Sequence, residues 1–170
     1  PIAINGLNNG TAYSFTVRAV NAVGTGAASA ASVAVTPVAP TSTPGVPTGV
    51  SATAGNARAS VAFTAPASNG GSAITSYLVT SSPGGLTASA TASPIVVTGL
   101  TNGTTYSFSV QAINANGTGA ASAASSAVTP ATTPGAPTGV SATAGNGQAS
   151  VSFMAPANNG GSAIASYIVT

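Results

Sequence analysis

The chain repeats itself at a spacing of about 90 residues, and that spacing limits the fold more than any single motif does. Pro44–Thr80 recurs as Pro134–Thr170 at an offset of 90, with eight differences in 37 positions. Ile2–Pro37 recurs as Ile95–Pro130 at an offset of 93, with ten differences in 36. The offsets differ by three because the connecting segments differ: Val38–Thr43 reads VAPTST, whereas Ala131–Thr133 reads ATT. Solenoid repeats run roughly 20–50 residues, so a unit of this length is a domain rather than a solenoid turn. The organisation that follows is the C-terminal half of one unit (1–37), a linker (38–43) and a complete unit (44–130). A second linker (131–133) then leads into the N-terminal half of a third unit (134–170). A chain divided in this way reads as a stretch of a longer protein.

Within the complete unit the hydrophobic period is two. Ala59, Val61, Phe63 and Ala65 alternate with Ser60, Ala62 and Thr64, as expected of a half-buried strand. Tyr106, Phe108, Val110 and Ala112 alternate with Ser107, Ser109 and Gln111 in the same manner. Tyr77 and Val79 share one face of a further strand, and Ile95–Val97 begin another. Turn signals separate these runs at Gly55-Asn56, Asn69-Gly70-Gly71, Pro83-Gly84-Gly85, Asn102-Gly103 and Asn116-Gly117. Only Ala120–Ala127 (AASAASSA) has helical propensity, and its exit through Val128-Thr129-Pro130 makes it an edge strand. The pattern predicts an all-β sandwich with a small core resting on Phe63, Tyr77, Leu100, Tyr106, Phe108 and Val110.

Composition excludes more than it suggests. Formal charge comes from Arg18 and Arg58 alone, and the chain contains no Asp, Glu, Lys, His, Cys or Trp. Of the side chains that commonly serve as general acids or bases, only four tyrosines are present. Ser and Thr nucleophiles need a base to accept their proton, and none is at hand. Zinc takes Cys, His or carboxylate ligands and calcium takes carboxylates, so neither a metal site nor a cofactor is expected. The chain is therefore expected not to be an enzyme. A net charge of +2 is not a nucleic-acid footprint, because phosphate binding draws on several Lys and Arg together. No apolar run approaches the roughly 18 residues of a membrane span, and the first residues do not form a signal peptide.

These residues resemble the fibronectin type III family, especially the Ala/Thr/Gly-rich versions in bacterial extracellular and cell-surface proteins. The family's proline-rich lead is matched by Pro44-Gly45-Val46-Pro47, and its core Trp ahead of a proline is replaced by Phe63 with Pro66 and Phe153 with Pro156. Its strand C tyrosine is matched by Tyr77 and Tyr167. Its Leu followed six positions later by Tyr is matched by Leu100 and Tyr106, and by Leu7 and Tyr13. Its Asn-x-x-Gly-x-Gly loop appears as Asn114–Gly119. The resemblance implies tandem seven-stranded antiparallel β-sandwiches of fibronectin type III, immunoglobulin-like kind, with strands A-B-E facing G-F-C-C′. It further implies a tyrosine corner at Tyr106 and an extracellular or cell-surface location.

Two functions fit these features. One is a non-catalytic structural repeat module of a stalk, fibre, filament or sheath, whose partners are neighbouring repeats or other copies in head-to-tail or lateral assembly. The other is an adhesion or carbohydrate-binding module, or a spacer attached to an enzyme elsewhere in a longer chain. Asn9, Asn102 and Asn116 each begin Asn-Gly-Thr, the glycosylation acceptor pattern, although Asn-Gly is equally a tight-turn pair. A surface almost without charge needs some solubilising device, and glycan at these positions would supply one.

Overall fold

A computed structural model describes residues 1–170, which form strands, turns and extended segments without a helix. The chain divides into two compact units, Pro1–Thr41 and Ser42–Thr170. The first holds one short antiparallel hairpin, β1 (Val20–Asn21) with β2 (Gly24–Thr25), and an isolated bridge between Tyr13 and Val35.

The second unit contains the complete sandwich. Its strands are β3 (Thr48–Gly55), β4 (Arg58–Thr64), β5 (Ile74–Ser82), β6 (Thr87–Ala90), β7 (Ile95–Thr98), β8 (Ser107–Asn114) and β9 (Gly117–Thr118). They build two antiparallel sheets ordered β3-β4-β7 and β6-β5-β8-β9, which is the A-B-E and C′-C-F-G arrangement implied by the resemblance. A further hairpin, β10 (Thr138–Gly145) with β11 (Gln148–Met154), follows. Its register repeats that of β3 with β4, down to the same irregularity near the start of the first strand. Ile164–Thr170, the counterpart of β5, forms no strand, since that copy contains no counterpart of β8 to pair with.

Alternation in the sequence becomes alternation in burial. Along β8 every second residue is buried, and the inward side chains Phe108, Val110 and Ala112 lose all contact with solvent. They pack beside Val79 of the adjacent β5 and in one core with Val61 and Val97 of the other sheet. Register brings Val79 opposite Val110, Tyr77 opposite Ala112 and Val61 opposite Ile95. Tyr77, Leu100 and Tyr106 close the ends of this core.

Two expectations are corrected. Phe63 is half-buried rather than central: it packs on the rim against Tyr77, with ring centroids 4.7 Å apart. β4 ends at Thr64, so Ala65 is exposed and the core centres one inward position deeper, on Val61 and Phe108. Ala120–Ala127 is no regular edge strand either. Gly119, Ser122, Ser125 and Val128 donate their amides to the carbonyls of Ala112, Val110, Phe108 and Tyr106, three residues matching two at every step. The extra residue is the count of a β-bulge, which leaves some partner groups unpaired. Here the unpaired amides of Phe108 and Val110 donate instead to the hydroxyls of Ser125 and Ser122, at 3.1 and 2.9 Å. The Ser-Ala-Ala-Ser spacing places one hydroxyl at each step.

Candidate functional site

The densest polar construction of the sandwich lies where the chain enters it. Asn114 ends β8 with a nearly fully buried side chain. Its Nδ2 donates to the carbonyls of Ser42 and Asn69, both at 2.8 Å, and its Oδ1 accepts the Asn116 amide at 2.8 Å. Asn116 adds a second donor to the Ser42 carbonyl at 3.2 Å. One side chain thus ties the incoming linker, the β4–β5 loop and the β8–β9 turn together. Burial of an amide requires this completeness, because an unmatched buried donor costs more than a matched one contributes. No buried side-chain nitrogen or oxygen lacks a partner.

Backbone bonds reinforce the joint, and they recur at the next one. Ser42 donates its amide to the Gly70 carbonyl and Gly45 donates to Ser68, at 2.8 and 2.9 Å. Thr132 donates to Gly160 and Gly135 to Asn158 at the same two distances. Glycine is required where linker and loop touch: Gly70 and Gly160 have φ of 70° and 74°. A Cβ would strike the Ser42 or Thr132 carbonyl. Gly161 lies against the backbone of Asn102 and Gly103, the turn preceding β8, so the third copy's loop packs on the complete sandwich.

The tyrosine corner forms as the Leu-to-Tyr spacing implies. Tyr106 accepts the Thr101 amide at its hydroxyl over 3.1 Å. That bond favours the phenolate and holds the phenol below its ordinary value of 10.0, while desolvation opposes it. Tyr13 accepts the Asn8 amide over the same distance.

The structure brings Tyr77, Leu100, Tyr106, Phe108 and Val110 into one core, with Phe63 on its rim. The three glycosylation candidates sit differently. Asn102 accepts the Ala57 amide and donates Nδ2 to Asn56, each at 2.8 Å, binding two turns together. Asn116 is part of the linker clasp, whereas Asn9 is exposed. Reading the sequence missed the roles of Asn114, Asn56, Ser122 and Ser125. The three-residue serine spacing, repeated at Ser29 and Ser32, was the available signal for the last two.

Nothing in this arrangement pairs a nucleophile with a base. Its chemistry is hydrogen bonding between neutral groups, suited to holding segments in place. The family model described as fibronectin type III domain matches residues 45–128. Those residues form a fibronectin type III domain. Among solved structures, a crystal structure of domains from titin is similar at 27% identity and a TM-score of 0.52. That similarity covers 74% of this chain and 43% of that one. The rat CD45 extracellular region, domains d3-d4, is similar at 17% identity and a TM-score of 0.51, covering 76% of this chain and 68% of that one. At that identity the likeness is one of fold. This chain spans less than half of the titin structure, and no curated protein matches its sequence. Within the fibronectin type III domain, the clasp at Asn114 and the corner at Tyr106 close opposite ends of β8.

Proposed function

We propose that the chain is a non-catalytic structural module made of tandem fibronectin type III repeats, serving as a spacer in an extracellular stalk, fibre, filament or sheath. The observation that carries this reading is the joint. At each joint one linker residue (Ser42, Thr132) and one residue of the next unit's lead (Gly45, Gly135) donate to a loop of that unit in the same pattern, and Asn114 clasps Ser42. A linker residue bonded in this way is held against the unit that follows it, whereas a free Gly/Ser segment behaves as a random coil. The residue content agrees, since a spacer needs neither a titratable site nor a charged surface.

Nitrogen-15 relaxation on the 170-residue chain tests the spacer. The β10–β11 hairpin should tumble with the complete sandwich, with common correlation times across Ala131–Thr133. Independent tumbling of the hairpin would remove the reading. A glycan, if this surface carries one, belongs first on Asn9, which is exposed, because Asn102 is half-buried and its amide is packed against Asn56 and Ala57. Site-resolved mass measurement on native material should find the added mass at Asn9 before Asn102 or Asn116. A bare mass throughout would remove glycan from the account.

A further inference from the structure

A sheet margin invites strand addition when its backbone groups face solvent at regular spacing, and charged side chains are a common guard against it. The complete sandwich has no such guard: its one charge, Arg58, lies on β4, the middle strand of its sheet. Its margins are β3 and β7 of one sheet, and β6 and the segment from β9 to Val128 of the other. β6 and β7 hold four residues each and offer few groups to a partner. Beyond β7, Ser93 covers the next amide of β4 by accepting from Phe63 at 2.9 Å.

The two longer margins are irregular by the same count. Thr48 and Ser51 of β3 stand opposite Thr64 and Ala62 of β4, three steps against two, with Gly49 between them at a φ of 61°. From Gly119 to Val128 the ladder likewise advances three residues for every two of β8. These margins lie side by side, since Val46–Val50 and Ser122–Ala124 line one groove of about 330 Å³.

Serine makes the second irregularity complete on its inner side. Val110 donates its amide to Ser122 Oγ, which donates to the Ala123 carbonyl at 2.7 Å. Phe108 donates to Ser125 Oγ, which donates to the Ser126 carbonyl at 2.9 Å. A hydroxyl thus stands where a regular ladder joins amide to carbonyl directly. Residues 29–33 repeat the relay, Ser29 from Val17 to Ala30 and Ser32 from Phe15 to Val33. The inner groups are satisfied while the outer spacing is spoiled. Two residues of an incoming strand span about 6.8 Å and offer one acceptor. Ala123 and Ala124, neither of them part of the ladder, put two amides into that length. Pairing would bury one amide without an acceptor, which outweighs the bond gained by the other.

We infer that the Ser-Ala-Ala-Ser segment closes this margin to strand addition, so that an almost uncharged domain stays unpaired edge to edge by geometry rather than by charge. The inference goes beyond the spacer reading and does not draw on the linkers.

Amide hydrogen exchange on the full 170-residue chain tests it, read at Ala123 and Ala124 over a range of protein concentrations. In wild type both amides should exchange fast at every concentration. Deleting Ala124 and Ala127 restores two residues for two and a regular margin. Ala123 should then slow by about tenfold or more as concentration rises, with Phe108 protected throughout. The double variant Ser122→Ala, Ser125→Ala keeps the residue count and should leave Ala123 fast. Slowing in that variant would mean that lost stability, not spacing, opens the margin, and the inference falls. It falls too if wild type slows with concentration, or if a folded deletion variant keeps Ala123 fast. Where the deletion abolishes Phe108 protection, and with it the fold, wild type decides alone: flat exchange supports the closed margin and slowing refutes it. Tumbling of the β10–β11 hairpin has no bearing on these amides, so the spacer and the closed margin fail separately.

Discussion

Residues 1–37 and 95–130 are nearly the same sequence in two settings. In both, the tyrosine hydroxyl accepts a backbone amide at 3.1 Å. In both, two serines spaced three apart accept amides across the bulged ladder, Ser29 and Ser32 in one copy and Ser122 and Ser125 in the other. The hydrogen-bonded local architecture is therefore common to them. Burial is not: Phe108 is fully buried, whereas Phe15 stays half-exposed. The covering β3-β4-β5 segment is what buries the apolar face of residues 95–130. Local sequence sets the bonds, and apolar burial depends on strands distant in the chain.

The comparison makes paired substitutions informative, and the largest difference belongs to the core. Phe108→Ala should cost about 3–5 kcal/mol, through lost transfer energy and the cavity left behind. Phe15→Ala, at the matching position, should move the urea midpoint of the complete sandwich by an amount within error. Equal shifts would mean that the two copies unfold as one cooperative unit.

Asn114→Ala comes next. It strands the Ser42 and Asn69 carbonyls and should cost about 2–3 kcal/mol by equilibrium unfolding. Asn21 is its counterpart, and its Oδ1 accepts the amides of Val23 and Gly24 in an exposed turn. Asn21→Ala should cost well under about 1 kcal/mol, because water replaces an exposed acceptor. Ser125→Ala should cost about 1–2 kcal/mol by leaving the buried Phe108 amide without an acceptor. Ser32→Ala should cost less, and hydrogen exchange at Phe108 and Phe15 reads both directly.

The sheet arrangement was legible because inward alternation, turn pairs and the Leu100–Tyr106 spacing all specify the same strands. Phe63 misled because size suggested a centre, while position set it next to the end of β4 at Thr64. The inward positions that do lie at the middle hold valine, which looks unremarkable in a chain full of small residues. Ala120–Ala127 was readable as extended but not as bulged, since a three-for-two ladder has no hydrophobic period. The roles of Asn114 and Asn102 were out of reach for a different reason. Each bonds to residues some 45 to 72 positions away, and an asparagine in a turn looks alike whether it binds its own turn or another.

The smallest expected effect concerns pH, and it separates two opposing influences on the corner. The chain has no Asp, Glu, His or Cys, so no side chain titrates between about pH 5 and 8 and the melting temperature should be flat there. Above that range Tyr106 matters. With its pKa held below 10.0, the folded protein releases the phenolic proton before the unfolded chain does. The unfolded state then binds more protons, so this group's contribution is absent at neutral pH. It grows as pH rises through the folded-state value and is complete above the unfolded one. The melting-temperature gap between wild type and Tyr106→Phe should therefore widen from pH 8 to 10. A gap that narrows would show that desolvation outweighs the Thr101 amide, with burial by the covering strands controlling the phenol.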